Sequence, residues 1–192
     1  MTTNQPCAVL IRHGETTWSA SGRHTGRRTD LPLTPRGENQ AGALASRLAG
    51  QHFALVMCSP LTRARRTAEL AGLDQVTLDP DLEEWDYGDF EGLTTEEIRA
   101  KIPGWTIWEG PWPGGETIDE VAQRADRVVA RVRALATGET AALVGHGHML
   151  RVVAARWLGA PPQMGRQLIL ETGTLSDVGW EHETSAIQHW NA

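Results

Sequence analysis

The tetrapeptide Arg12-His13-Gly14-Glu15 follows the apolar run Cys7 to Ile11 directly and precedes Thr16. A strand end followed by glycine presents its side chain at a rim instead of burying it, so His13 is aimed at something. Alone, such a histidine suits four roles: core residue, metal ligand, general base or nucleophile. Its company narrows them. Arg12 and Arg63 bring two permanently charged planar forks suited to phosphate oxygens. Gly145-His146-Gly147-His148 adds a second imidazole between glycines, where a ligand can approach the backbone closely. Two histidines and two arginines make an oxyanion-binding pocket. A zinc reading of His146-x-His148 lacks further ligands at recognisable spacing.

The elements that must position these groups alternate. Cys7 to Ile11 reads as a buried strand, and Thr34-Pro35 as the N-cap and first residue of a helix with the stripe Ala41, Leu44, Ala45, Leu48. Phe53 to Cys58 reads as a second strand, followed by a helix with Ser59 as its cap and Pro60 at N1. That helix start would add a positive backbone end near His13. Val76 to Leu78 suggests a third strand. Capping boxes Thr94/Glu97 and Thr117/Glu120 open a short helix and the longest one, the latter with Ile118, Val121, Ala125, Val128 and Val132 on its core face. Ala141 to Val144 is a fourth strand, with a helix from about Met149 to Leu158; β segments are expected at Leu168–Leu170, Leu175–Trp180 and near Ile187–Trp190. The expectation is an α/β three-layer sandwich with a mostly parallel central sheet and an antiparallel edge. Segments 12–16, 59–63 and 145–148 each follow a strand and should meet at one rim, outside the strands' carboxyl ends.

The 192 residues and 40% hydrophobic content suit a single domain over 1–192. A Trp/Pro/Gly-rich stretch around 93–116, with Trp105, Trp108 and Trp112, reads either as a cap over the rim or as an apolar patch covering the sheet edge. The net charge of −6 argues against a general nucleic-acid binder, so any anion must be held by a local cation cluster. Cys7 and Cys58 lie in apolar runs, which points to a reducing compartment. The segment Met1 to Pro6 lacks the basic start of a signal peptide, and no membrane span is expected, so the expected location is cytoplasmic. The Trp-rich stretch or the C-terminal residues offer surfaces on which a homodimer can form.

Four blocks then carry a resemblance: Leu10 to Thr16, Ser59 to Ala64 with Thr67-Ala68, Leu82 to Gly92, and Leu143 to Gly147. In this order they resemble the histidine phosphatase superfamily, the group that includes cofactor-dependent phosphoglycerate mutase. The resemblance implies that His13 attacks phosphorus and carries the phosphoryl group, that Arg12, Arg63 and His146 bind the equatorial oxygens, and that Glu84 exchanges the proton. The family spacing of Leu, any residue, Glu, with Gly four residues on, selects Glu84 over Glu83 through Leu82 and Gly88. It also implies Ser19, Thr25, Gly26, Tyr87 and Gly147 as substrate-binding residues, a small phosphorylated substrate, and no cofactor or metal. Glu83 and His148 are read as solvated or supporting side chains. His24, His52, His182 and His189 are read as surface or packing residues.

Within the family, Glu84 to Gly88, Gly92-Leu93-Thr94, Trp105 to Trp108 and Gly114 to Thr117 are similar to sedoheptulose-type bisphosphatases and related bacterial acid phosphatases. Mutases of the superfamily are longer and carry Asn where Ser19 stands, so hydrolysis is expected. The alternatives are a phosphoglycerate mutase and a non-catalytic phospho-ligand binder. Arg23, Arg27 and Arg28 can hold a second phosphate or simply be solvated.

Overall fold

A computed structural model describes residues 5–192. The expectation about Met1 to Pro6 therefore falls mainly on residues outside the described part. Strand β1 (Cys7–Arg12) runs into a loop and a one-turn helix α1 (Thr17–Ala20). Helix α2 (Pro35–Leu48) starts where Thr34 Oγ1 accepts the Gly37 N–H, with proline at N1, and buries Ala41, Leu44 and Leu48. Strand β2 (Leu55–Cys58), helix α3 (Thr62–Leu70) and the two-residue β3 (Thr77–Leu78) follow. Helices α4 (Thr95–Arg99) and α5 (Ile118–Arg133) both begin in complete capping boxes. Strand β4 (Thr140–Gly145), helix α6 (Gly147–Trp157) and the hairpin β5 (Leu175–Glu181) with β6 (Thr184–His189) complete the chain.

The six strands form one sheet in the order β3-β2-β4-β1-β5-β6. Strands β3, β2, β4 and β1 are parallel, whereas β5 pairs antiparallel with both β1 and β6. The strand interiors are near-continuous apolar runs because helices cover both faces of the parallel part. One face packs Leu10, Leu143, Met57 and Ala141 against α5, α6 and the Trp-rich segment; the other packs Ile11, Val144, Val56 and Cys58 against α2 and α3. Trp85 and Trp157 are among the largest side chains fully removed from water. Burying an apolar side chain of this size stabilises the fold by about 1.5–3 kcal/mol.

Two expected elements differ. Leu168–Leu170 is not a strand: the Ile169 carbonyl accepts from Trp190 Nε1, at 2.5 Å, and the Leu170 carbonyl from Arg12. Side chains thus take up the acceptors a ladder would have used. Ser59 does not cap α3, which begins at Thr62. Asp30 performs that task from the loop between α1 and α2, accepting the Thr62 N–H at 2.9 Å and its hydroxyl at 2.7 Å.

In the Trp-rich stretch, Trp105 and Trp108 are buried and Trp112 stacks on Trp85 with ring centres 6.2 Å apart. The indole N–H groups of Trp105 and Trp112 donate to backbone carbonyls of Pro111 and Ile107 within the stretch, which satisfies their polar ends.

Candidate active site

The β1 and β4 ends are locked together where the His13 N–H donates to the Gly145 carbonyl at 3.0 Å. This places His13 beside His146, ring centres 5.1 Å apart. The loop backbone is held from α3, because the Gly14 N–H donates to Thr67 Oγ1 at 3.1 Å. It is held from α2 as well, because Gly14 and Gly37 pass so closely that a Cβ on Gly14 would lie 2.2 Å from the Gly37 carbonyl oxygen. His13 is 4% exposed, so neither ring face is free to turn into solvent.

His13 Nδ1 faces the Gly14 carbonyl at 2.7 Å. Burial first, then Arg63 and Arg12, hold its pKa well below the usual histidine range. The ring is therefore neutral, with its hydrogen on Nδ1, and Nε2 keeps a free lone pair. His146 is neutral by the same causes, burial first and then Arg63, but in the opposite tautomer. Its Nδ1 accepts from Arg63 Nε at 3.1 Å, so Nε2 carries the hydrogen and meets Ser59 Oγ at 2.7 Å.

Arg63 is fully buried, and the negative charges near it, Glu84, Asp30 and Glu91, stand off from its guanidinium instead of hydrogen-bonding to it. Its guanidinium donates to the carbonyls of Gly26 at 2.8 Å and Thr29 at 3.3 Å, and among the described residues the one carboxylate within ion-pair distance, Asp30, lies 3.7 Å away and is partly exposed. Arg12 donates to the Leu170 carbonyl and leaves its Nε unpartnered although buried. Gly147 makes room for it: a Cβ there would lie 3.1 Å from the Arg12 Cζ. Burial lowers both arginine pKa values without discharging them. Such under-compensated buried cations are arranged for an anion.

Glu84 is held by the opening of α6. Its Oε1 accepts from the backbone N–H groups of Met149 and Trp85, both at 2.9 Å, and Oε2 from that of His148 at 3.1 Å. Tyr87 meets His148 Nδ1 at 2.5 Å. Burial first, then the Glu84 charge, pushes the Tyr87 pKa well above the ordinary phenol value, and His148 is driven down by burial first, so the tyrosine hydroxyl is the donor.

Arg12, His13, Ser19, Thr25, Glu84, Tyr87 and Gly147 line a cavity of about 190 Å³. Arg63 and His146 are not in its wall; His146 stands beside His13 and Arg63 is bonded to His146. Gly26 is not in the cavity wall; its carbonyl anchors Arg63, and Glu91 and Trp85 pack where a side chain would go. The cavity is also lined by His24, His148 and Arg151, which sequence reasoning did not place there. His148 and Arg151 are three residues apart on α6, a spacing that shares a helix face and was readable. His24, whose pKa burial lowers to about 4, had no such signal, since its neighbours Tyr87 and His148 are distant in sequence.

Of the three loop arginines, only Arg23 lines the cavity, and it pairs with Glu97 at 3.1 Å. Arg27 and Arg28 are committed to Asp86 at 3.3 and 2.9 Å. A larger cavity of about 360 Å³ lies between the C-terminal ends of α2 and α3, but its wall holds no arginine or lysine, so nothing there neutralises a phosphoryl group. Among the described residues, no three His, Cys, Asp or Glu side chains cluster as metal ligands, and no helix is long and apolar enough to cross a membrane.

Residues 8–192 match the family model described as histidine phosphatase superfamily, branch 1. An acid phosphatase of Mycobacterium tuberculosis is 41% identical over 177 residues, covering 91% of this chain and 86% of the relative. The sedoheptulose 1,7-bisphosphatase of Saccharomyces cerevisiae is 36% identical, covering 86% of this chain and 72% of its own length. A solved structure of a Mycobacterium tuberculosis open-reading-frame product superposes with a TM-score of 0.92 at 38% identity, over 97% of both chains. With the family model matching almost the whole described chain and phosphatases among relatives at 36–41% identity, the chain belongs to the histidine phosphatase superfamily and is a phosphatase.

Proposed function

We propose that the chain is a metal-independent phosphomonoesterase acting on small phosphorylated metabolites, sugar phosphates or bisphosphates among them, through a phosphohistidine on His13. The observation that carries this reading is the neutral His13 with its Nε2 lone pair free, set beside two arginines whose charge is only partly offset. In the first step Nε2 attacks phosphorus and the bond from phosphorus to the leaving oxygen breaks, while Glu84 supplies that oxygen with a proton. Arg12, Arg63 and His146 stabilise the equatorial oxygens through the transfer. Water then attacks phosphorus, the N–P bond breaks, and Glu84 recovers a proton. The names of the phosphatase relatives support hydrolysis, and Ser19, with its hydroxyl tied back to the Thr16 carbonyl, takes the place of the mutase asparagine. Tyr87, His148, His24 and Arg151 form the side of the cavity that receives the leaving group, backed by Trp105 and Trp108.

The test is p-nitrophenyl phosphate hydrolysis in EDTA, with wild type and His13→Ala. Activity retained by the first and lost by the second supports the reading; a requirement for an added divalent ion overturns the mechanism. A panel of sugar phosphates, sugar bisphosphates and 3-phosphoglycerate should release phosphate far faster than it isomerises. Rapid bisphosphate-dependent interconversion of 3- and 2-phosphoglycerate would favour the mutase reading instead.

A further inference from the structure

Arg124 sits on α5, is 7% exposed, and is absent from the cavity wall, yet half of its hydrogen bonds go to the backbone of the segment that carries Glu84. Its Nη1 donates to the carbonyls of Asp81 and Glu83, both at 2.9 Å, and faces Met149 Sδ at 3.5 Å. Its Nη2 reaches the Glu84 carbonyl at 3.5 Å. Both ends of the fork close on Glu116, Nε to Oε1 at 2.9 Å and Nη2 to Oε2 at 2.8 Å.

Glu116 grips the other side of the same segment. Its Oε2 accepts the Asp86 N–H at 3.0 Å, its carbonyl accepts from Trp85 Nε1 at 2.8 Å, and its own N–H donates to the Asp86 carbonyl at 2.9 Å. The backbone from 81 to 86 is therefore clasped by one bidentate ion pair, while the Glu84 carboxylate is clasped by the first turn of α6. A buried ion pair is a poor device for stability, because apolar residues of equal volume commonly do as well. An apolar pair cannot, however, fix several carbonyls of one loop at hydrogen-bond distance.

We infer that Arg124 and Glu116 are positioning residues that hold Glu84 where it can protonate the leaving oxygen, so that the enzyme depends on them in proportion to how badly the leaving group needs a proton. This rests on Glu84 being the proton donor. An alkoxide departs only with a proton, whereas p-nitrophenolate is stable enough to depart without one.

The experiment compares kcat/KM for β-glycerophosphate and p-nitrophenyl phosphate in Arg124→Lys, Glu116→Gln and Glu84→Gln. That ratio reads the steps up to phosphoryl transfer to His13, before the intermediate common to both substrates. Arg124→Lys keeps the charge and loses the fork; Glu116→Gln is isosteric and carries the test if the lysine variant fails to fold. Each should lose about tenfold or more on β-glycerophosphate and less than about threefold on p-nitrophenyl phosphate, with Glu84→Gln showing the same selectivity at larger size. Equal losses on both substrates in Arg124→Lys and Glu116→Gln, with Glu84→Gln still selective, overturn the positioning role alone. A Glu84→Gln variant without selectivity overturns the proton-donor assignment and the inference with it.

Discussion

Arg63 Nε donates to His146 Nδ1 at 3.1 Å, and this one bond sets the tautomer of the imidazole beside His13. A lysine would supply a point charge without the planar fork that reaches His146 and the Gly26 carbonyl together. Arg63→Lys should weaken competitive inhibition by inorganic phosphate by about 10- to 100-fold, the size expected for a lost charge-assisted hydrogen bond. An unchanged inhibition constant would place the phosphate elsewhere.

His13→Ala should lower turnover by at least about 10³-fold, since no other group is placed to take over its lone pair. Wild-type enzyme mixed with labelled substrate and quenched in alkaline detergent should retain label that is stable in alkali and labile in acid, as a phosphoramidate is. Label with the reverse stability would mean that an oxygen and not His13 carries the phosphoryl group.

Four histidines, two buried and two half-buried, give stability a definite dependence on pH. His13, His146 and His148 have folded pKa values well below 6.5 and His24 has one of about 4, in each case chiefly through burial. Above pH 6.5 neither state takes up these protons. Below it the unfolded chain binds them and the folded chain does not, so stability is lost as pH falls toward the folded values. Each histidine contributes up to about 1.4 kcal/mol per pH unit within that window. Denaturant midpoints should fall between pH 7 and pH 4.5, and His24→Gln should make the slope shallower. A midpoint that is flat with pH in the wild type would contradict the burial of these rings.

Gly37→Ala sets two effects against each other. Alanine favours helix by up to about 1 kcal/mol, whereas overpacking costs about 1–3 kcal/mol and more where backbone is struck. A Cβ at Gly37 would lie 2.1 Å from the Glu15 carbonyl oxygen, so the steric term should win. The melting temperature should drop by several degrees, at about 2–4 °C per kcal/mol for a chain of this size, and activity should fall with it because Gly14 and Glu15 adjoin His13. A stabilised variant would show that the two backbones are not in contact.

The order of elements was legible because helix starts are written in local chemistry. Thr34-Pro35, Thr94/Glu97 and Thr117/Glu120 all cap the helices expected of them. Ser59 misled for a long-range reason: its hydroxyl is taken by His146 Nε2 and the Leu61 N–H, and α3 is capped by Asp30. Leu168–Leu170 misled in the same way, since the side chains that satisfy its carbonyls come from the opposite ends of the chain. The site itself was readable wherever a residue ends or directly follows a strand, as Arg12, His13 and His146 do, or belongs to a spaced block, as Arg63 and Glu84 do. Arg151 was signalled only by its helix spacing from His148, and His24 belongs to no pattern at all, so only the folded chain brings it to the cavity.

The sheet order also bears on how the enzyme can fail. Strands β2, β4 and β1, which deliver Arg63, His146 and His13, are interior neighbours, while the sheet ends in β3 on one side and β6 on the other. Local opening begins at edges and leaves interior ladders intact, so fraying of β3 or β6 detaches none of these three residues. The amides of β1 and β4 should be among the last to exchange with solvent, and activity in rising denaturant should vanish together with the whole fold and not ahead of it. Partial melting of the frame is thus a poor switch for this enzyme, and control of its turnover belongs at the mouth of the cavity.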